Sequence, residues 1–388
     1  MKHIKTVVFI SSYFNHHQKP LSDALYQALG EGYTFIETRE MADYRKQLGY
    51  GNTDIPPYVV RFEENMSPNT KELIDQADLV LIGSAPIALV KNRLSSGRLV
   101  FRYSERLLKR SPQHWKYPVR FFTWRQRNPQ APRLYMLCAS AYTSFDYGQF
   151  GLYRNKCYKW GYFPEAKTVP NLDELISSKE PASLLWVGRM IEYKSPETAI
   201  EIARRLKADG YQFSLTLRGT GELEEKLCAL ISSEKLEDCV FLPGSCSPEE
   251  VRQQMEQSEI FLFTSNREEG WGAVLNEAMN SACAVVASHA IGSVPFLLKD
   301  KSNGLVYKDG DTEDLYQKVR WLLDHPDERK QLSRQAYQTI TEEWNAEKAA
   351  TRFLTLSEHI LNGQTNPSLY ETDICSKAEY IKDNWYKG

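Results

Sequence analysis

Residues 264–295 constrain the fold more than any other stretch of the chain. An apolar run, Ile260 to Phe263, leads into a turn holding Gly270 and Gly272, then into good helix formers, then into a second apolar run, Ala284 to Ala287. That order predicts strand, turn, helix and strand, with glycines at the junction where a side chain would obstruct a ligand approaching the backbone. The first turn of such a helix offers unpaired N–H groups and the positive end of the dipole, which suit a phosphate or a sugar hydroxyl oxygen. Two acids, Glu269 and Glu277, flank the turn with seven residues between them. A backbone that binds anions beside two carboxylates suits a sugar nucleotide, with N–H groups for the diphosphate and carboxylates for hydroxyls. An ordinary βαβ unit with two surface glutamates is the alternative, because the dipole favours acids at a helix start.

A second motif decides between them. The apolar run Leu184 to Val187 ends in Gly188-Arg189, a short loop carries Lys194, and Pro196 opens a helix through Ile200, Ala203 and Leu206. Proline at a helix start fits that reading. Arg189 and Lys194 then project from one loop as a cationic clamp, the arginine as a planar fork and the lysine as a point charge. Two further strands lie between the motifs, at Ser214–Arg218 and Val240–Gly244. Gly219-Thr220-Gly221 alone is a weak signal, since it lacks the third glycine of a dinucleotide fingerprint.

Taken in order over residues 184–295, these segments resemble family 4 retaining glycosyltransferases of the GT-B fold. The resemblance implies an α/β protein of two Rossmann-like domains facing across a cleft, with a C-terminal helix crossing back to the N-terminal domain. It implies donor binding through Gly188, Arg189, Lys194, Gly270, Trp271, Gly272, Ala273, Val274 and Glu277. Glu269 would orient the transferred sugar and Glu277 would hold the ribose hydroxyls. Arg189 and Lys194 would stabilise the departing diphosphate, so that the catalytic set is Glu269, Arg189 and Lys194. The donor would be a UDP- or GDP-sugar, and the acceptor a hydroxyl of a glycan or lipid-linked oligosaccharide in cell-surface polysaccharide biosynthesis. No cofactor and no metal are expected, and no Asp-x-Asp motif is positioned to require one. The family's usual Lys-Gly is Lys194-Ser195 here, a mild departure. A GT-B sugar-nucleotide epimerase, a nucleic-acid-modifying glycosyltransferase and a non-catalytic partner subunit are the rival readings.

A chain of 388 residues suits two domains. Their expected bounds are 1–165 and 166–344, with 345–388 returning to the first. In the N-terminal half, Val7–Ser11, Thr34–Glu37, Leu79–Gly83, Leu99–Arg102 and Leu134–Ala139 read as short buried strands and Pro20–Leu29 as a helix. Such alternation implies a parallel sheet covered on both faces, whose ligands bind at the strands' carboxyl ends. Lys159–Glu165 reads as the interdomain crossing. Tyr370, Tyr380, Trp385 and Tyr386 argue that residues 364–388 dock against something. Seven scattered cysteines without a CxxC pair point to reduced thiols, and the N-terminus shows no cleavable signal pattern. The expected location is therefore cytoplasmic.

Charge is concentrated in one place. Residues 91–133 hold twelve Lys and Arg against the single acid Glu105, a balance of +11 that leaves −13 on the rest of a chain of formal charge −2. Phe101, Tyr103, Trp115, Tyr117, Phe121, Phe122 and Trp124 are interleaved with these cations. Basic residues with interfacial aromatics suit an anionic membrane surface, and thus a peripheral position on the inner face of the cell membrane. A solvated face whose aromatics are buried in the sheet is the bland reading. Nucleic acid is not expected, since no helix-turn-helix, zinc-ligand or RNP-like pattern accompanies the segment.

Two smaller groups follow strands of the first domain. His16 and His17 lie after the first strand, as candidates to hydrogen-bond a sugar hydroxyl or phosphate. Adjacent histidines share no helical face and make a poor metal pair. Glu105 and Arg106, after a later strand, are acceptor candidates, although Glu105 also has arginines to neutralise.

Overall fold

A computed structural model of the chain describes residues 2–41, 55–63, 66–110 and 117–387. It divides into two compact units, 1–165 with 344–382, and 166–343 with 383–388. The first crossing falls at Glu165, and the return begins at Trp344. The last residues differ from the expectation, since 383–388 go to the second unit.

The first unit is built on seven strands, β1 (Val7–Ser11), β2 (Tyr33–Glu37), β3 (Val59–Val60), β4 (Leu79–Ile82), β5 (Leu99–Ser104), β6 (Leu134–Cys138) and β7 (Cys157–Lys159). Their order is β3-β2-β1-β4-β5-β6-β7, all pairs parallel. Every residue of β1, β4 and β6 is buried, as expected of strands covered on both faces. The free edge of β7 is covered by a later segment, where Lys159 N donates to Ser376 O at 2.8 Å and Ala378 N to Cys157 O at 3.0 Å. A closed edge has no unpaired row to recruit another strand. The helix Ala346–Leu361 lies on this unit, with the Phe353 ring 5.1 Å from Phe101 and 5.5 Å from Trp160.

The second unit holds β8 (Glu180–Val187), β9 (Ser214–Arg218), β10 (Val240–Gly244), β11 (Ser258–Phe263), β12 (Ala284–Ser288) and β13 (Leu305–Tyr307). Their order is β10-β9-β8-β11-β12-β13, again all parallel. The order in which strands are added reverses between β8 and β11, so the two motifs follow the two strands that flank the topological switch point. That is where open α/β sheets bind ligands. Ile200, Ala203 and Leu206 of the helix Pro196–Ala208 pack with Leu184, Trp186 and Ile260 in this unit's core. Among the described residues, no helix is long and apolar enough to cross a membrane.

Candidate functional site

The loops after β8 and β11 are fastened together by a few polar contacts. Thr264 receives the Trp186 indole N–H at 2.9 Å and donates to the carbonyls of Lys194 and Ser195, at 2.8 and 3.0 Å. Asn266 N donates to Tyr193 O at 2.9 Å. Lys194 closes a 3-10 turn, Glu192–Lys194, and Ser195 takes φ 49° before the helix begins at Pro196. A serine in that left-handed conformation is strained by roughly 1 kcal/mol.

This fastening brings the two motifs into contact. The Lys194 ammonium forms an ion pair with the Glu269 carboxylate, the side chains being only 13% and 11% exposed. Ser265 Oγ donates to the same carboxylate oxygen at 3.1 Å. The ammonium also lies 5.9 Å from the Phe263 ring and 5.7 Å from the Tyr193 ring, over faces that favour a cation. Arg189 is exposed and donates to the Tyr193 hydroxyl at 3.2 Å. Arg189 and Lys194 thus share one loop but face different partners. Gly272 shows why a glycine ends the turn. It has φ 83°, and a Cβ there would lie 2.4 Å from the Phe263 ring. Gly219 answers the weak Gly219-Thr220-Gly221 signal differently. A Cβ at Gly219 would sit 1.9 Å from the Gly188 carbonyl oxygen, so this glycine serves the close approach of two loops.

The turn's other members divide. Trp271 is fully buried and donates its indole N–H to Asn276 Oδ1 at 2.9 Å, so its side chain belongs to the core and only its backbone is left for a donor. Gly270 is buried, while Gly272, Ala273 and Val274 remain partly exposed. The helix they open is short, Val274–Asn280, and Ala273 supplies no side-chain cap. Glu277 lies in its first turn. Burial pushes its carboxyl up to about 7, opposed by the charge of Arg252. The ion pair selects Glu269, not Glu277, so the two acids occupy unlike environments. Sequence reasoning missed Tyr193, Thr264 and Ser265. Two of them stand four residues from a predicted site residue, Tyr193 after Arg189 and Ser265 before Glu269, but loop contacts have no period to reveal them.

In the first unit the His16 and His17 rings lie 4.0 Å apart, and His17 N donates to Asn15 Oδ1 at 2.9 Å. Burial, and secondarily the charge of His16, pushes the His17 imidazole down to about 3. His17 is therefore neutral near pH 7 and can offer a phosphate a hydrogen bond but no charge. Arg106, the other acceptor candidate, is turned inward. It is buried against Asp146 at 3.3 Å and over the Tyr142 ring at 4.6 Å. Glu105 is taken up by Lys109 at 2.5 Å and by the Tyr162 hydroxyl at 2.8 Å.

The basic segment is likewise less uniform than its charge. Arg93 is fully buried and donates to the carbonyls of Ile74, Asp75, Ala77, Asp78 and Leu99, at 2.7–3.4 Å. Burial pushes its guanidinium down to about 10, with the charge of Arg98 adding to the effect. Arg102 donates to Asn128 Oδ1 at 2.6 Å, and Phe101 lies in the core. Trp115 and Lys116 lie outside the described residues. Lys91 and Arg110 are exposed, and the helix Tyr117–Arg127 has Val119 and Phe122 more than 70% exposed and Phe121 also exposed. Arg125 and Arg127 are exposed beside them.

Two doubly wound parallel units, one with paired loops at its switch point, define a protein of the GT-B fold. Residues 171–339 match the description "Glycosyl transferases group 1". It is 36% identical over 141 residues to the amylovoran biosynthesis glycosyltransferase AmsK of Erwinia amylovora, covering 35% of this chain and 34% of that protein. It is 31% identical over 144 residues to the putative colanic acid biosynthesis glycosyltransferase WcaL of Escherichia coli, covering 36% and 35%. These matches span about a third of the length of the curated relatives. HepE of Anabaena, solved in complex with UDP, superposes with TM-score 0.68 at 16% identity, over 92% of this chain and 98% of that one.

Proposed function

We propose that the chain is a retaining glycosyltransferase that moves a sugar from a UDP- or GDP-sugar to a hydroxyl of a glycan or lipid-linked oligosaccharide in polysaccharide biosynthesis. The observation that carries this reading is the Lys194–Glu269 pair, which gathers both motifs at the carboxyl edge of β8 and β11. The relatives named for amylovoran and colanic acid biosynthesis support the pathway class, and solved HepE complexes with UDP and UDP-glucose support the donor class. An arriving diphosphate competes with Glu269 for the Lys194 ammonium. As the lysine turns to the phosphates, Glu269 is released to accept hydrogen bonds from the sugar. Arg189, already exposed, adds a forked donor to the leaving group. Charge that develops on the departing diphosphate is then met by groups already in place, which is where electrostatic catalysis gains most. No metal enters this scheme. The outward helix Tyr117–Arg127 would seat the protein on the anionic inner face of the cell membrane, near a lipid-linked acceptor.

A panel of UDP- and GDP-sugars tests the reading, with nucleotide release measured in EDTA with and without membrane extract. Acceptor-dependent release from one donor, with the anomeric configuration kept in the product, is the expected result. A sugar epimerised without acceptor would assign the epimerase class, transfer to DNA or RNA would assign a nucleic-acid enzyme, and no turnover of any donor would leave a non-catalytic subunit.

A further inference from the structure

The loop that carries Glu269 is gripped by a segment more than a hundred residues later in the chain. Residues 383–387 lie across the carboxyl ends of three neighbouring strands, β11, β12 and β13. At the first, the Asp383 carboxylate pairs with the Arg267 guanidinium at 3.1 Å. At the second, the Asp383 carbonyl lies 2.9 Å from His289 Nε2. His289 Nδ1 accepts the backbone N–H of Asp309 at 2.9 Å, so its ring proton is on Nε2 and is donated to Asp383. The Trp385 indole N–H reaches His289 O at 3.4 Å, and the Trp385 and Tyr386 rings lie 6.3 and 5.9 Å from the imidazole. At the third, the Tyr386 hydroxyl donates to Val306 O at 2.5 Å.

Both loops held in this way fix the backbone of Glu269. Arg267 is two residues ahead of it in the β11 loop. His289 is three residues ahead of Gly292, whose N–H donates to Glu269 O at 3.2 Å, and Ser293 N likewise donates to Trp271 O at 3.3 Å. The Arg267 and Asp383 side chains are 27% and 42% exposed, so the pair is partly solvated. Partly solvated contacts at a chain end open locally at low free-energy cost. The Glu269 carboxylate must hold one position while Lys194 changes partners, and the Arg267 contact reaches its loop from the side of the tail.

We infer that residues 383–387 act as a strap whose Asp383–Arg267 and His289 contacts position Glu269. The kinetic part of this inference rests on the proposed function, whereas the mechanical part does not. Amide hydrogen exchange of 265–272 in the full chain tests the mechanical part, comparing wild type, Asp383→Arg, Trp385→Ala, and the double exchange Arg267→Asp with Asp383→Arg. Exchange should quicken about fivefold in both single variants and return to within about twofold of wild type in the charge-exchanged double, while peptides of β1 and β4 stay unchanged. Unchanged exchange at 265–272 in both single variants overturns the strap. With whichever UDP- or GDP-sugar the donor panel selects, kcat should fall about tenfold in Asp383→Arg with donor KM within about twofold, and the double should recover. Quickened exchange with unchanged kcat in an active enzyme overturns the positioning role. A wild type without turnover refutes the proposed function instead, and the exchange measurement still decides the strap.

Discussion

The β8–β11 edge of the second unit and the basic segment of the first are both conspicuous in the sequence for their charges, yet the structure uses those charges in opposite ways. At the β8–β11 edge, a lysine and a glutamate 75 positions apart converge into one pair. In the basic segment, cations close in sequence are dispersed. Arg93 caps carbonyls in the interior, Arg106 pairs with a buried aspartate and Lys109 answers Glu105, whereas Arg125 and Arg127 of the helix Tyr117–Arg127 are exposed. The difference is one of anchoring. Charges placed just after a predicted central strand have their location fixed by the sheet. A net charge summed over forty residues says nothing about which members are inside.

The largest expected effect tests whether that dispersal is real. Arg93→Met removes donors from five backbone carbonyls at once and should cost about 3–5 kcal/mol of stability, since buried acceptors left unpaired are expensive. Arg127→Gln, the same loss of charge on the exposed helix, should leave the urea midpoint within the error of the measurement. Equal midpoints for the two variants would erase the contrast between buried and outward cations.

Next in size is the clamp. Arg189→Ala and Lys194→Ala should each raise the barrier to turnover by about 2–4 kcal/mol, with folding verified by circular dichroism. Glu269→Gln should depress kcat, because a misoriented sugar cannot reach the acceptor. Glu277→Gln should mainly raise donor KM, since ribose contacts hold ground and transition states alike. If the two glutamate variants exchange these signatures, the unlike environments of the two acids do not translate into unlike roles.

The environment of Glu277 makes a separate prediction about pH. Its folded carboxyl titrates near 7, above the ordinary carboxyl value, so the folded state holds a proton that the unfolded state has released. Its contribution is therefore neutral at low pH and becomes a penalty as pH rises from the ordinary value through 7. Glu277→Gln carries no such penalty. Without donor it should be more stable than wild type by on the order of 2 kcal/mol at pH 8, and indistinguishable at pH 4. Thermal melts at the two pH values measure this. A constant difference across pH would show that packing, not titration, separates the two side chains.

What was legible beforehand follows the same logic of anchoring. The strands β1, β4, β6, β8, β11 and β12 were readable because each contains a short apolar run bounded by turn residues. Strands β3, β7 and β13 were not, since two or three residues such as Val59–Val60 or Leu305–Tyr307 carry no period. Arg189, Lys194, Glu269 and Glu277 were readable because motif spacing ties them to central strands. The burial of Arg106 was not readable, because its partner, Asp146, lies forty positions away on a helix whose packing no local pattern reveals. Tyr370 and Tyr386 were rightly expected to dock, Tyr370 stacking under Arg352 at 4.3 Å, but composition could not say that the tail's last residues would return to the second unit.

The smallest expected effect sharpens the comparison at its other pole. If the outward helix is the part of the basic segment that meets anionic lipid, its apolar and cationic members contribute separable terms. Val119 and Phe122, three residues apart on one helical face, would enter the headgroup boundary. Arg125 and Arg127 would each add about 1 kcal/mol near a surface rich in acidic lipid. The cationic term is screened as the Debye length shrinks from about 10 Å at 0.1 M salt to about 3 Å at 1 M, and the apolar term is not. Arg125→Gln with Arg127→Gln should therefore weaken sedimentation with phosphatidylserine vesicles about thirtyfold at 0.1 M salt and hardly at all at 1 M. Val119→Ser with Phe122→Ser should weaken it equally at both salts. Since all four side chains are exposed, melting temperatures should not move. Arg93→Lys, the same charge in the interior, should change stability and leave vesicle binding alone. Binding that is indifferent to all four outward side chains, or equal on neutral and anionic vesicles, would return the helix to the status of a solvated face.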